Sequence, residues 1–160
     1  MRHNATTFRA AVEAVEEIRE GYQPGLQALA ATVRKTVDVN NTRAIKGSVD
    51  LDATLRERYP QEPRWDYVVS IGKEPKHGRL VWIEYHDANG TTADEVVKKA
   101  RWLKSWVKAH GRPLLDYGGT RMDMRWIASG RVGFRPGSRQ ARLLAQEQVR
   151  FPVSRLKLEV

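Results

Sequence analysis

Two carboxylates and one histidine stand in stretches of the chain that otherwise have the character of apolar β-strands. Asp66 lies in Arg-Trp-Asp-Tyr-Val-Val, and Glu84 and His86 lie in Leu-Val-Trp-Ile-Glu-Tyr-His. A charged side chain in a half-buried strand costs free energy unless it is paired or binds a metal. Side chains alternate along a strand, so Glu84 and His86 point to the same face. If the two strands form a hairpin, Asp66 lies near them, although the sequence leaves the register open.

Two carboxylates on neighbouring strands, with a further polar group on the same face, suit a hard divalent cation such as Mg²⁺ or Mn²⁺. Such a cation polarises a phosphodiester and generates a hydroxide nucleophile. Two other interpretations stay open. Asp66 is a structural residue bonded to a neighbouring backbone, or Glu84 and His86 form an internal hydrogen-bonded pair without a metal. The chain contains no glycine-rich phosphate loop, and we expect no organic cofactor.

The composition predicts one globular domain covering residues 1–160. Of these residues 41% are hydrophobic, which is enough for a core of ordinary size. The absence of cysteine excludes disulfides and thiolate metal sites. No apolar run approaches the roughly 20 residues that cross a bilayer. The N-terminus lacks the apolar stretch of a signal peptide, so we expect a cytoplasmic protein that does not associate with membranes.

The charge balance favours an anionic partner. The chain has 28 Lys and Arg against 19 Asp and Glu, for a net charge of +9, and its isoelectric point is about 10.1. A surplus of this size in a small domain is typical of proteins that bind nucleic acid, either DNA or RNA. The alternative is a bacterial protein from a GC-rich genome that is rich in arginine without binding nucleic acid.

Hydrophobic periodicity predicts an α+β fold with the order α-α-β-β-β-α-β-β-α-β. The first helix begins at Thr6 or Thr7 and ends at Gly21, and a second helix starts at Pro24-Gly25. The remaining predicted elements are strands over 45–55, 65–71 and 80–86, a helix over 92–110, strands over 122–128 and 132–134, a helix after 138 and a strand over 153–158. No repeat or linker divides the chain.

The helix over 92–110 has an apolar side and two polar flanks. Its inward residues are Val96, Ala100, Leu103 and Val107. One flank forms a basic stripe that is a candidate nucleic-acid contact, or else a solvated helix surface: Lys98, Arg101, Lys104 and Lys108. Trp102 and Trp106 lie on the other flank beside Lys99, and as an exposed pair they fit an interface with a second copy or another protein.

These residues resemble the core of the PD-(D/E)xK phosphodiesterase superfamily. The matching segments are Arg-Trp-Asp66-Tyr-Val-Val, Val-Trp-Ile-Glu84-Tyr-His86 and the basic segment from Val96 to Lys104. The resemblance implies a restriction-endonuclease-like fold, with a helix, a mixed sheet of about four strands and a helix packed on it, over about residues 6–130. The same variant of the motif also resembles a group of uncharacterised bacterial proteins of this length.

The resemblance assigns roles to several residues. Asp66 and Glu84 hold Mg²⁺ or Mn²⁺, the carbonyl of Tyr85 joins them, and Glu13 or Glu17 of the first helix contributes an auxiliary acid. Trp65 replaces the proline of the motif. His86 stands where the family has the lysine that orients the water and stabilises the phosphorane charge. A histidine can act as an acid or base near neutral pH, but it has no permanent charge.

We therefore expect a metal-dependent nucleic-acid phosphodiesterase, an endonuclease-like hydrolase in which His86 assists Asp66 and Glu84. The alternative is a catalytically inactive protein of the same fold that binds nucleic acid or a protein partner. A third hypothesis is an accessory protein whose basic surface meets an acidic partner without nucleic acid. Residues 131–160 extend beyond the shared core, and their sequence suggests no role.

Overall fold

The computed structural model describes residues 7–74 and 77–159. The helices are α1 (Phe8–Glu13), α2 (Ala31–Arg34), α3 (Leu51–Leu55), α4 (Thr92–His110), α5 (Arg112–Gly118) and α6 (Arg139–Gln146). The strands are β1 (Tyr22–Gln23), β2 (Val37–Val39), β3 (Ile45–Asp50), β4 (Tyr67–Lys73), β5 (His77–His86), β6 (Asp123–Ala128) and β7 (Leu156–Leu158).

The centre of the fold is a mixed sheet with the strand order β1-β3-β4-β5-β6. Strands β1, β3, β4 and β5 pair antiparallel, and β6 pairs parallel with β5. A parallel neighbour requires a crossover connection, and α4 and α5 provide it. A second, two-stranded parallel sheet joins β2 to β7. The predicted α+β class with a mixed sheet and flanking helices is confirmed.

The alternation along β5 places its side chains as the sequence predicts. Leu80 and Trp82 pack in the larger core on the α4 side of the sheet. Val81 and Ile83 pack in the smaller core on the opposite side, beneath β2 and β7. Because Glu84 continues the series of Leu80 and Trp82, it enters the α4 side of the sheet, where it is fully buried.

The N-terminal region differs from the two long helices predicted. Thr7 caps α1 by accepting a hydrogen bond from the Ala10 N–H (3.1 Å), whereas Thr6 lies outside the described residues. Helix α1 ends at Glu13, and a short 3₁₀ turn, Glu16–Ile18, follows it. Helix α2 has only four residues. Ser48 and Tyr67 of the sheet accept hydrogen bonds from the backbone of the segment before α2, and these tertiary bonds replace intrahelical ones.

The strand predicted over 45–55 ends at Asp50, because Asp50 caps α3. Its carboxylate accepts from the Ala53 N–H (2.8 Å), and the carbonyl of Asp66 accepts from the Leu51 N–H (2.8 Å). In the C-terminal part, residues 132–134 form no strand, and α5 was not predicted. The last strand is limited to Leu156–Leu158. No helix in 7–74 or 77–159 combines the length and apolarity of a membrane-spanning segment.

Candidate functional site

Strand pairing brings Asp66 and Glu84 together. Tyr67 lies opposite Ile83 in the antiparallel pair of β4 and β5, so Asp66, just before β4, meets Glu84 near the end of β5. The backbone N–H of Asp66 donates to Oε1 of Glu84 at 3.2 Å. The expected proximity of the two carboxylates is therefore present, and the hairpin register is its cause.

Backbone groups orient both carboxylates. The Tyr85 N–H donates to Oδ2 of Asp66 at 2.9 Å, while the Asp66 N–H holds Oε1 of Glu84. Each carboxylate thus has one oxygen anchored by the backbone and a second oxygen, Oδ1 or Oε2, directed elsewhere. Tyr85 contributes to the site through its N–H, and the role of its carbonyl as a metal ligand stays a prediction.

Both of these second oxygens face Lys99 of α4. The Lys99 Nζ lies 2.5 Å from Oε2 of Glu84 and 3.8 Å from Oδ1 of Asp66. The Glu84 side chain has no exposed surface, whereas Lys99 and Asp66 keep 21% and 18% of theirs exposed. The cluster is therefore closed at Glu84 and reaches solvent through Asp66 and Lys99.

Burial and the charges of the neighbouring groups together leave the pKa values of Asp66, Glu84 and Lys99 raised. Burial raises the pKa of Asp66, with the Lys99 ammonium and the Tyr85 N–H acting against it. Burial and the Asp66 charge raise the pKa of Glu84 well above its ordinary value, despite Lys99. For Lys99, burial opposes the charge, but Glu84 and Asp66 outweigh it and the pKa is raised. Two carboxylates against one ammonium leave one negative charge without a partner inside the cluster.

Arg64 and Asp52 form the wall next to Asp66. The Arg64 guanidinium donates to Oδ1 of Asp52 (3.0 Å) and to the carbonyl of Tyr59 (2.6 Å). The Asp52 carboxylate also adds negative potential at Asp66 and Lys99 and helps to raise the pKa of each. Its effect is smaller than those of burial and of the charges that lie closer to each group. Because Asp52 is itself paired with Arg64, this wall adds a partly compensated negative charge beside the cluster.

The side chain of His86 makes its polar contacts outside the cluster. Its Nδ1 lies 2.9 Å from Oδ1 of Asp87, and its Nε2 lies 3.2 Å from Oε2 of Glu95 near the start of α4. Within the described residues, no hydrogen bond or ion pair joins His86 to Asp66 or Glu84. The alternative of an internal hydrogen-bonded pair of Glu84 and His86 is therefore wrong, and a catalytic role for His86 stays a prediction.

The two auxiliary acids of the first helix have other partners. Glu13 is exposed and pairs with Arg9 at 3.0 Å. Glu17 lies after α1 in the 3₁₀ turn, with only 6% of its side chain exposed. It accepts from the Tyr59 hydroxyl and from Nε1 of Trp106 (3.4 Å), and it lies 3.3 Å from His110. Neither acid contacts Asp66 or Glu84 in the contacts described.

The two tryptophans of α4 are part of the packing rather than an exposed pair. Trp106 is 3% exposed, and its ring stacks on Trp102 with the centroids 6.3 Å apart. Trp102 in turn meets the edge of Tyr59. The prediction of an exposed tryptophan pair is therefore wrong, since Glu17 and Tyr59 cover this flank.

The predicted basic stripe is divided by its neighbours. Arg101 and Lys104 both approach Glu147 after α6, at 3.3 and 3.9 Å. Lys98 and Lys108 are exposed, and the part of the chain that the structure describes shows no carboxylate within 4 Å of either. The nucleic-acid role of the four residues stays a prediction.

The donor set at Asp66 and Glu84 fits a divalent cation in its chemistry. Two carboxylate oxygens converge, and backbone N–H groups orient both carboxylates, as ligands of Mg²⁺ or Mn²⁺ require. A cluster of three or more Asp, Glu or His side chains at metal-binding distance does not occur in the described ranges. Mg²⁺ is commonly held by one or two carboxylates, completed by water and phosphate, so two are sufficient.

Sequence reasoning placed Lys99 on a flank and assigned it no role. The signal that identifies it is its position. On α4 the buried residues Val96, Ala100, Leu103 and Val107 form one stripe, and position 99, three residues after Val96 and four before Leu103, borders that stripe. A lysine at such a position needs a partner, and Glu84 is the buried acid it meets.

Comparison with known proteins adds no relative. No family model matches the chain, and neither the search of curated proteins nor the search of solved structures finds a significant match.

Proposed function

We propose that this protein is a divalent-metal-dependent phosphodiesterase that cleaves nucleic acid at Asp66, Glu84 and Lys99. The observation that carries the proposal is the convergence of these three charged side chains on the α4 side of the sheet. Asp66 and Glu84 come from paired strands, and Lys99 comes from the helix that follows them. The set Asp, Glu and Lys resembles that of the PD-(D/E)xK superfamily, with the lysine supplied by the helix instead of β5.

The charge of the cluster supports a metal and a phosphate together. Asp66, Glu84 and Lys99 have a combined charge of −1 when all are ionised, and this charge is mostly withdrawn from water. A divalent cation changes the sum to +1, which complements one phosphodiester. When bound by Asp66 and Glu84, the cation supplies a Lewis acid and lowers the pKa of a coordinated water.

The three side chains have different roles in the proposed reaction. Asp66 and Glu84 would hold the cation, while the backbone N–H groups that orient them stay in place, and Lys99 would withdraw from Oε2 of Glu84 as the cation enters. Lys99 keeps 21% of its side chain exposed, and its ammonium lies beside both carboxylates. There it stabilises the charge that develops on the phosphorane oxygens, the task for which a preorganised cation is most effective.

Nucleic acid is the proposed substrate because of the charge of the whole chain. A net charge of +9 attracts a polyanion and raises its local concentration. Two exposed cations of α4 have no ion-pair partner among the described residues, Lys98 and Lys108, and they strengthen the positive potential along the helix that carries Lys99.

The test is cleavage of labelled single- and double-stranded DNA and RNA oligonucleotides in Mg²⁺, Mn²⁺ or EDTA. The proposal predicts metal-dependent cleavage that falls about 100-fold or more in Lys99→Gln and disappears in Asp66→Asn. Lys98→Gln is the matched control, since it removes the adjacent, exposed ammonium and leaves the cluster intact. His86→Gln measures separately whether the histidine assists. Metal-dependent cleavage that survives Lys99→Gln and Asp66→Asn contradicts the proposal.

A second candidate is a non-catalytic protein of this fold that binds nucleic acid. The observation that favours it is the short contact between Lys99 and Glu84, because an ammonium on a carboxylate competes with a metal for the same oxygen. This candidate predicts salt-sensitive binding to oligonucleotides that EDTA leaves unchanged, together with no cleavage in any metal.

A further inference from the structure

A large open groove lies at the other end of the sheet from Asp66 and Glu84. Its volume is about 1260 Å³. It is bounded by α4, α5 and α6, by the first half of β5 and by the start of β6. Buried apolar side chains form its floor, and three partly exposed ones present apolar surface to it: Leu115, Met122 and Phe151. The groove exceeds the roughly 300–1,000 Å³ of small-molecule pockets, so a section of polymer fits it better than a small ligand.

The groove is lined by positive charge. Its basic residues are Arg79, Lys104, Lys108, Arg121 and Arg150, and among its described lining residues Asp123 is the one acid. That acid is already neutralised, because Arg125 and Arg150 lie 2.7 and 3.4 Å from its Oδ1. Lys108 and Arg121 are exposed, with no ion-pair partner among the residues described, so their charges are available to an anion.

A strained residue also lines this groove. Gln148 has a φ of 61° and is the one non-glycine residue with positive φ in the described part of the chain. It ends α6 in a Schellman arrangement, in which the Val149 N–H donates to the Leu144 carbonyl and the Gln148 N–H to the Ala145 carbonyl. Glycine is the usual residue at this position, since a side chain there costs free energy. Strain of this kind concentrates at functional sites. Here the strained residue, Gln148, lies at the groove and carries a side-chain amide.

Helix α4 separates the groove from the cluster of Asp66, Glu84 and Lys99. Lys108 follows Lys99 by nine residues, which is about two and a half turns and about 13 Å along the axis. The two ammonium groups therefore leave α4 on opposite sides, Lys99 towards Glu84 of β5 and Lys108 towards the groove. The groove is thus a separate binding surface.

We propose that this groove binds the sugar-phosphate backbone of a single nucleic-acid strand, with Lys108 and Arg121 on the phosphates. Charge complementarity and the apolar lining together match what a single strand requires, since the phosphates need cations and the bases need apolar surface. The choice of nucleic acid rests on the proposed function, whereas the binding geometry does not involve the cleavage cluster. The Gln148 amide provides a hydrogen-bond donor and acceptor to the strand.

The experiment measures binding of a fluorescein-labelled oligothymidylate of about 16 nucleotides, near the largest site of a single small domain, by anisotropy in EDTA over a series of salt concentrations. Lys108→Gln/Arg121→Gln removes two phosphate contacts. We expect the salt slope to fall by about 1.4 and the affinity near 0.1 M salt to fall about 20-fold. Gln148→Gly relieves the strained backbone, so it is expected to raise Tm while weakening binding.

Arg19→Gln/Arg43→Gln is the matched control, because both arginines are exposed and lie outside the groove. This control is expected to bind as the natural chain does. Equal losses in the groove and control variants overturn the proposal, as does binding of polyglutamate without binding of the oligonucleotide. If binding depends on the groove and no metal supports cleavage, this inference holds and the proposed nuclease function is wrong. If the natural chain cleaves nucleic acid and the groove variant binds as well as the natural chain, the nuclease function holds and this inference is wrong.

Discussion

The ammonium of Lys99 lies 2.5 Å from Oε2 of Glu84, a carboxylate with no solvent-exposed surface. The two residues come from different elements, the second half of β5 and the middle of α4, and are 15 positions apart. The contact explains why a buried glutamate is tolerated in an apolar core. It also places the ammonium of Lys99 beside the proposed metal ligands. Stability and chemistry at this site are therefore linked, and variants of either residue report on both.

Lys99→Met is expected to destabilise the fold by about 3–5 kcal/mol at neutral pH, because it leaves the Glu84 charge buried without its partner. The free energy of unfolding in urea measures the effect. Lys99→Met/Glu84→Gln removes both charges and is expected to recover most of the loss. Lys99→Arg keeps the charge and serves as the control. A double variant no more stable than Lys99→Met shows that the pair is not the source of the cost.

Mn²⁺ or Mg²⁺ is expected to raise the thermal unfolding midpoint, since a ligand that binds only the folded chain stabilises it. At a free metal concentration 100 times Kd, the gain is about 2.7 kcal/mol. The rise is expected to disappear in Asp66→Asn and in Glu84→Gln, which lose a ligand. Glu13→Gln is the control for charge, because Glu13 is exposed and pairs with Arg9. An unchanged midpoint in millimolar Mn²⁺ contradicts a metal at this site.

The stability of the natural chain is expected to fall with rising pH through the raised pKa of Glu84. Burial, aided by the Asp66 charge, raises that pKa well above the ordinary 4.5, so the folded state holds the proton at pH values where the unfolded chain has released it. The stabilisation is present below pH 4.5 and is lost as the pH rises through the folded-state pKa. The difference in unfolding free energy between the natural chain and Glu84→Gln, followed from pH 4 upwards, isolates this contribution. A difference that does not change with pH contradicts it.

Glu17→Ala is expected to destabilise the fold by about 2–4 kcal/mol without altering the response to metal. The change leaves the buried Nε1 of Trp106 and the half-buried hydroxyl of Tyr59 without their acceptor. A buried unsatisfied group costs about 1–3 kcal/mol, and the hydroxyl costs less because water reaches it. Burial, with Glu17 as its neighbour, raises the pKa of Tyr59 to about 12, so loss of Glu17 is expected to lower it. Urea unfolding and a tyrosine absorbance titration measure the two effects. A metal-induced shift lost in this variant assigns Glu17 to the metal site after all.

The class of the fold and the positions of Asp66 and Glu84 relative to the strands were predictable from local patterns. Alternation along 80–86 indicates which residues of β5 face α4, and a charge at an inward position indicates that Glu84 needs a partner. Asp66 before a second apolar strand follows from the same reasoning. These predictions succeed because the period of a strand is a property of the backbone and does not depend on what packs against it.

Local patterns failed where long-range bonds replace local ones. The strand over 45–55 stops at Asp50, since the carbonyl of Asp66, distant in sequence, accepts the Leu51 N–H at 2.8 Å. The long helix predicted after Pro24 shortens to four residues because Ser48 and Tyr67 accept its backbone N–H groups. Such acceptors exist only once the sheet has formed.

The sequence by itself determined that Asp66 and Glu84 are charges in apolar strands and that the chain is basic. Only the tertiary structure decided their partner. His86 shares a strand face with Glu84, yet its ring turns to Asp87 and Glu95, and Lys99 from α4 takes the place beside the carboxylates. The physical reason is that the face of a strand is set by neighbouring residues, whereas the pairing of a buried charge depends on which helix the crossover lays over it.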